Sequence, residues 1–348
     1  MGPLPAPRSG VAGVALSPLL EARGLVKEFA LRRGSLRRRV GTVRAVAGVD
    51  LRLAAGEVYS LVGESGCGKT TLGRCLLRLI EPTAGGIRFR GEELTTLDRR
   101  TLRRRRRKMQ MIFQDPSGAL NPRWRVARSI EEPLLSYRLG DRSRRTAMVD
   151  RLLERVELDR SLRRRFPHQL SGGQRQRVMI ARALAPSPEL VVADEPVAAL
   201  DASVQAQILA LLARLRHELG LGLLFISHDL AVVERISDRV GVMYLGRIVE
   251  EGPVAELFSR PRHPYTVALL SAVPVPEPEA RRRRIVLAGE PPNAAAPPPG
   301  CAFHPRCPIA TRRCASHRPP LEADGNGHLV ACHHPGELAP PNWMNSAS

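Results

Sequence analysis

Val58-Tyr59-Ser60-Leu61-Val62-Gly63-Glu64-Ser65-Gly66-Cys67-Gly68-Lys69-Thr70-Thr71 is a short apolar run followed at once by a glycine-rich loop. The run reads as a buried strand, and the segment from Thr71 to Ile80 as the helix that leaves the loop. Gly63 to Thr70 satisfies G-x-x-x-x-G-K-[ST] in the strand–loop–helix setting that gives the motif its meaning. Such a loop turns the backbone amides of Gly63, Ser65, Gly66, Cys67 and Gly68 inward around a phosphate, and the helix start at Thr71 adds partial positive charge. Lys69 is placed to reach β- and γ-phosphates, and the Thr70 hydroxyl to bind Mg²⁺.

Further along, Leu190-Val191-Val192-Ala193 is a second apolar strand, and it ends in two acids. Asp194 at its carboxyl end suits Mg²⁺ held through water, and Glu195 is positioned to polarise an attacking water. Gly222 to Ser227 forms a third such run, after a helix near 203–219. Uninterrupted apolar runs alternating with helices predict a parallel sheet covered on both faces. Residues 21–60 instead alternate apolar and polar positions between turn signals, as antiparallel strands do, with the basic segment 31–42 reading as a hairpin extension. The stretch 115–185 is mostly helical in pattern, residues 1–20 read as a flexible arm, and 291–300 (PPNAAAPPPG) as a stiff linker.

Ser171, Gly172, Gly173 and Gln174 begin a helix within LSGGQRQR at 170–177. Its amides and dipole form a second anion-seeking helix start, distinct from the one that follows the phosphate loop.

These stretches occur in a fixed order: the phosphate loop, Gln114 in QMIFQDP, LSGGQRQR, VVADEP at 191–196, AALD at 198–201 and ISHD at 226–229. In that order they resemble the ATP-binding cassette family over roughly residues 20–255. The resemblance implies an α/β P-loop nucleotide-binding domain spanning 21–257, with a mixed sheet core, an antiparallel β subdomain and a helical subdomain at about 115–185. A small cysteine-rich C-terminal extension over 258–348 follows. It also implies that Gln114 ligates Mg²⁺ or water and reports occupancy to the helical subdomain, and that His228 contacts the γ-phosphate. Asp201 bridges two subunits, and Phe29 stacks on adenine, where the family more often has Tyr. Ser171, Gly172 and Gly173 meet the γ-phosphate held by the opposite subunit, so that ATP draws the two together and hydrolysis removes the bridge. Where the family usually has Ser the chain has Ala199, which removes one hydroxyl while Glu195 and His228 remain.

Ala119-Leu120-Asn121-Pro122-Arg123, His263-Pro264-Tyr265-Thr266 and the run from Leu269 to Pro274 are similar to the dipeptide/oligopeptide importer branch, and within it to the F-type ATPase subunit. That resemblance implies a D-type ATPase partner, two permeases, an external solute-binding protein and a place on the cytoplasmic face of the inner membrane. The segment at about 115–132 then docks a permease helix. Peptides are the implied cargo, with nickel, glutathione and opines as alternatives. A soluble cassette ATPase acting on nucleic acid or ribosomes is the rival class, but the second cassette, zinc insertion or long coiled coil usual there is missing from the sequence.

Composition bears on both classes. The 348 residues carry a formal charge of +20, and every one of the 54 basic residues except Lys27, Lys69 and Lys108 is arginine. The arginines are scattered over predicted loops and helix ends, so the charge predicts a solvated surface and no nucleic-acid partner. No apolar stretch approaches the roughly 18 residues of a membrane span, and the first 24 residues lack the pattern of a secretory signal, so a soluble intracellular protein is expected.

Cys301, Cys307, Cys314 and Cys332 crowd the last fifth of the chain without the C-x₂-C pairs usual for zinc. Irregularly spaced cysteines also hold iron–sulfur clusters. The importer branch carries a similar set, which implies a [4Fe–4S] cluster. Structural zinc, with His304, His333 or His334 as substitute ligands, and free or disulfide-linked thiols are the alternatives.

Overall fold

The computed structural model describes residues 18–33, 38–273, 285–323 and 327–338. Most of the expected N-terminal arm and the tip of the expected hairpin extension lie outside the described residues, as does Pro274, the last residue quoted for the importer branch.

Two sheets organise the chain. The smaller has the order β2-β1-β4-β5, all antiparallel, from β1 (Leu20–Arg33), β2 (Arg38–Leu53), β4 (Ala84–Phe89) and β5 (Glu92–Glu93). Its alternation has the predicted consequence. Leu20, Ala22, Val49, Leu51, Leu53, Ile87 and Phe89 turn inward, while Glu21 pairs with Arg23 and Arg52 at 3.0 Å each. Those two guanidiniums, Arg23 foremost, hold the Glu21 carboxyl below its ordinary range.

The larger sheet has eight strands in the order β11-β12-β10-β9-β3-β8-β7-β6. Its parallel part comprises β9 (Arg239–Tyr244), β3 (Val58–Val62), β8 (Gly222–Ile226), β7 (Leu190–Asp194) and β6 (Met109–Ile112). β3, β7 and β8 are buried along their whole length, and successive residues serve opposite cores. Leu61, Leu190, Val192, Leu224 and Ile226 pack toward the antiparallel sheet and the helix Lys69–Leu76. Val62, Val191, Ala193, Leu223 and Phe225 pack toward the helices Gly172–Leu184 and Ala202–Leu219. Each wholly buried Leu, Ile or Phe here contributes about 1.5–3 kcal/mol, so both layers are anchored through the strands that carry the loop and the acid pair.

The helix after the loop is shorter than its sequence pattern suggests. It ends at Leu76, because Arg78 takes a left-handed backbone (φ 50) and its guanidinium bonds the carbonyl of Leu94, that of Leu97 at 3.0 Å, and Glu81. The stretch expected to be mostly helical holds Pro116–Ala119, Val126–Ser136, Arg142–Arg155 and Gly172–Leu184.

The C-terminal third is stitched to the same sheet. Beside β9 runs antiparallel β10 (Arg247–Pro253), then β12 (Leu329–Val330) and β11 (Glu322–Ala323), with Glu250 facing Val330. Glu250 is fully buried and accepts the amides of Arg262 (2.7 Å) and His263 (3.0 Å), and its Oε1 lies 2.7 Å from His328 Nε2. Phe303 packs against both Tyr244 and Tyr265, with ring centroids 5.3 and 5.4 Å away, while those two rings lie 4.7 Å from each other. The residues expected to form a separate extension thus share the core of the larger sheet.

Candidate functional site

Strand β3 delivers its last residue into the loop, and the loop curls over the start of the helix Lys69–Leu76. Gly68 makes the curl possible. Its φ is 111, and a Cβ there would lie 2.1 Å from the Ala45 carbonyl oxygen of β2. Lys69 is buried, and its Nζ donates to the carbonyls of Gly63 at 2.7 Å and Glu64 at 3.0 Å. Cys67 turns its thiol into the core, where burial pushes it up, so its backbone alone faces the loop interior.

Below the loop, Thr70 Oγ1 donates to Asp194 Oδ1 at 2.9 Å. The second oxygen, Oδ2, is buried without a hydrogen-bond partner. Burial raises the Asp194 carboxyl, the Thr70 hydroxyl opposes that, and the Glu195 charge adds to it. A buried carboxylate with one unsatisfied oxygen beside a threonine hydroxyl has the donor chemistry that Mg²⁺ takes, so these residues fit the ion.

Glu195 follows β7 in a left-handed backbone (φ 44), with its amide donating to Ile226 at 2.9 Å. The turn aims its carboxylate across the loop. Gln114 Nε2 donates to Oε2 at 2.9 Å, and His228 Nδ1 lies 3.2 Å from Oε1. Three parallel strand ends, those of β6, β7 and β8, therefore supply Gln114, Glu195 and His228 to one point. An open cleft of about 360 Å³ is lined by Ala45, Ser65, Gly66, Gly68, Lys69, Thr70, Thr71, Gln114, Glu195 and His228.

Other expected site residues stand elsewhere. Ser171, Gly172, Gly173, Gln174, Asp201 and Phe29 do not line this cleft. Ser171 caps the helix Gly172–Leu184, its Oγ accepting the Gln174 amide at 3.2 Å while Gln174 Oε1 accepts the Ser171 amide at 3.0 Å. Gly173 is required by contact, since a Cβ would sit 2.6 Å from Val204 Cγ1. Asp201 caps the helix bearing Val204, accepting that residue's amide at 3.0 Å. Phe29 is 40% exposed, with Lys27 Nζ 5.1 Å from its ring centroid.

Ala45 is the wall residue that sequence reasoning missed. It is held there through β2, whose Ala47 amide donates to Gly246 at 2.8 Å, and no motif marks it.

Nothing in the described residues supports the metal centre expected of the four C-terminal cysteines. All are free, and among the described residues no three His, Cys, Asp or Glu side chains form a group that could hold a metal ion. Burial raises the thiols of Cys301 and Cys307 and pushes Cys332 up to about 12, and the neighbouring cysteines add to the rise in each case. The substitute histidines bond elsewhere: His304 Nδ1 with the Cys301 carbonyl at 2.9 Å, His333 Nε2 with that of His317 at 2.9 Å, and His334 with Thr311 and Glu337 at 3.0 Å each.

Comparison with known proteins places this geometry. Residues 46–198 match the family described as ABC transporter, and residues 249–314 match the oligopeptide/dipeptide transporter C-terminal region. The chain is 50% identical over 315 residues to the probable peptide ABC transporter ATP-binding protein y4tS of Sinorhizobium fredii, covering 90% of this chain and 89% of that one. Against the oligopeptide transport ATP-binding protein AppF of Bacillus subtilis, identity is 50% over 318 residues, covering 90% and 97%. The dipeptide transport ATP-binding protein DppF of Haemophilus influenzae is 48% identical over 319 residues, covering 91% and 97%. Among solved structures, the dimeric post-hydrolysis state of the ATP-binding cassette MJ0796 bound to ADP and Pi matches with a TM-score of 0.60 at 30% identity, covering 68% of this chain and 98% of that one.

Proposed function

As the chain belongs to the ABC transporter family, we propose that it is the ATP-hydrolysing subunit of an importer for peptides or similar solutes, working on the cytoplasmic face of the inner membrane. The observation that carries this reading is the convergence of Gln114, Glu195 and His228 over the loop of Lys69, with Thr70 and Asp194 joined beneath it.

In the proposed cycle the loop amides and Lys69 take the β- and γ-phosphates. Thr70, Asp194 and Gln114 would hold Mg²⁺, which neutralises phosphate charge when bound. Glu195 accepts a proton from the attacking water, and its bonds to Gln114 and His228 fix the direction in which it does so. The helix start at Ser171–Gly173 lies outside the cleft of its own chain. We assign it to the nucleotide of a second subunit, an arrangement favoured by the dimeric state of the MJ0796 cassette. The second subunit is proposed to be a D-type ATPase, with two permeases and an external solute-binding protein completing the transporter. Among the described residues no helix is long and apolar enough to cross a membrane, so the path for solute belongs to the permeases. An iron–sulfur or zinc centre at Cys301, Cys307, Cys314 and Cys332 has no ligand group to support it, and no step of the cycle requires one.

The test is reconstitution of the full-length chain with its permeases, second ATPase subunit and external solute-binding protein in vesicles loaded with MgATP, measuring peptide entry and phosphate release together. Coupled uptake that disappears with Lys69→Ala is expected. Phosphate release without any solute movement, or unaltered ATP affinity in Lys69→Ala, refutes the assignment.

A further inference from the structure

Glu64 is the second residue of the phosphate loop, and all its polar groups are engaged from different parts of the chain. Its amide donates to Tyr265 Oη at 2.8 Å, and its carbonyl accepts Lys69 Nζ at 3.0 Å. Its carboxylate takes both terminal nitrogens of Arg306, at 2.8 and 3.0 Å. Two of these three partners come from the C-terminal third, 201 and 242 residues further along the chain.

Arg306 is buried, at 8% exposure, among arginines that mostly lie on the surface. Its turn, His304–Arg306, follows directly on Phe303, whose ring packs against both Tyr244 and Tyr265. A guanidinium fork matched to a carboxylate fixes orientation as well as distance, which a lysine ammonium does not. The same aromatic group therefore seats both Arg306 and Tyr265, and both grip Glu64, which together with Gly63 supplies the carbonyls that hold Lys69.

We propose that Arg306 is a positioning residue for the nucleotide loop, through which the C-terminal segment sets the affinity for ATP. The proposal rests on the reading of the cleft as an ATP site. With Glu64 pinned at its carboxylate and amide, its carbonyl has one direction, and the starting position of the Lys69 ammonium is set. Without the fork the Glu64 carbonyl is held less firmly, and of the two carbonyls that aim Lys69 only that of Gly63 keeps its place. Arg306 does not line the cleft, and Gln114, Glu195 and His228 are held by their own strands. Binding should therefore weaken while the chemical step at saturation persists.

The test uses the full-length chain with MgATP, measuring the dissociation constant by calorimetry, turnover at saturation, and the melting temperature. Arg306→Gln is expected to weaken ATP binding about tenfold, equivalent to about 1.4 kcal/mol, with saturating turnover within about twofold of wild type. Arg306→Lys keeps the charge without the fork and should fall between the two. The exchange Glu64→Arg with Arg306→Glu should regain most of the affinity. Should Arg306→Gln not fold, Arg306→Lys carries the same comparison. An unchanged dissociation constant in these variants overturns the proposal, and so does a loss of affinity that only follows the melting temperature and is not regained in the exchange. Wild-type protein that does not bind ATP would instead overturn the ATP-site reading on which the proposal rests.

Discussion

His263 should make the stability of this protein depend on pH in a calculable way. Its ring is 1% exposed, and its Nδ1 accepts the Tyr265 amide at 3.1 Å, capping the helix Pro264–Ser271. Burial lowers its pKa from 6.5 to about 4, against the opposing pull of Glu250. The native ring is therefore neutral where an unfolded one takes up a proton, and stability contributed by the neutral ring falls as pH drops from about 6.5 toward 4. One such group lowers the unfolding free energy by about 2 kcal/mol between pH 7 and pH 5, and by about 3 kcal/mol on reaching pH 4. His263→Asn keeps a capping acceptor and removes the titration. Urea denaturation of both proteins, followed by circular dichroism from pH 7 to pH 4.5, isolates the effect, because every other carboxylate and histidine titrates in both. The wild-type curve should fall below the variant's own trend by about 2 kcal/mol near pH 5. Parallel curves would show that the ring is already protonated or already solvated in the native protein, and the reasoning would fail.

Glu195→Gln should keep ATP affinity while turnover falls by roughly 10²–10⁴; turnover at the wild-type rate would remove Glu195 from its assigned role. Gly68→Ala places a Cβ 2.1 Å from the Ala45 oxygen at a φ of 111, so ATP binding should weaken by at least about tenfold, as read by calorimetry. The buried Cys75 thiol, pushed up to about 11, should react with iodoacetamide at pH 8 roughly a hundredfold more slowly in the native than in the unfolded chain. Rapid labelling under native conditions, read by mass spectrometry, would contradict its burial.

Much of the site was legible because its residues adjoin features with strong local signatures. Lys69 and Thr70 sit within eight consecutive residues, and Asp194 and Glu195 end an apolar run, so spacing alone placed them near a sheet's carboxyl edge. The bonds from Gln114 and His228 to Glu195 join ends of different strands and could not be read from the sequence, where motif order implied only that both residues serve the nucleotide. The Arg306–Glu64 pair was invisible for a physical reason. It spans 242 residues, has no periodicity, and in a chain so rich in arginine nothing in composition marks the one that is buried. β11 and β12 escaped notice because two residues are too few to show alternation. Phe29 was placed by register alone, and its ring stands outside the cleft walls.

The pairing of Leu329–Val330 with β10 also bears on how the chain is made. During synthesis the loop, the acid pair and all the parallel strands leave the ribosome well before Val330, the residue that faces Glu250. Until then β10 presents unsatisfied amides and carbonyls along a naked margin, the kind of surface that recruits strands from other molecules. A chain cut short of Leu329 should therefore precipitate or run as large particles in gel filtration even with every cleft residue present. Among the described residues the last two strands cover that border, and both leave the ribosome after everything they protect.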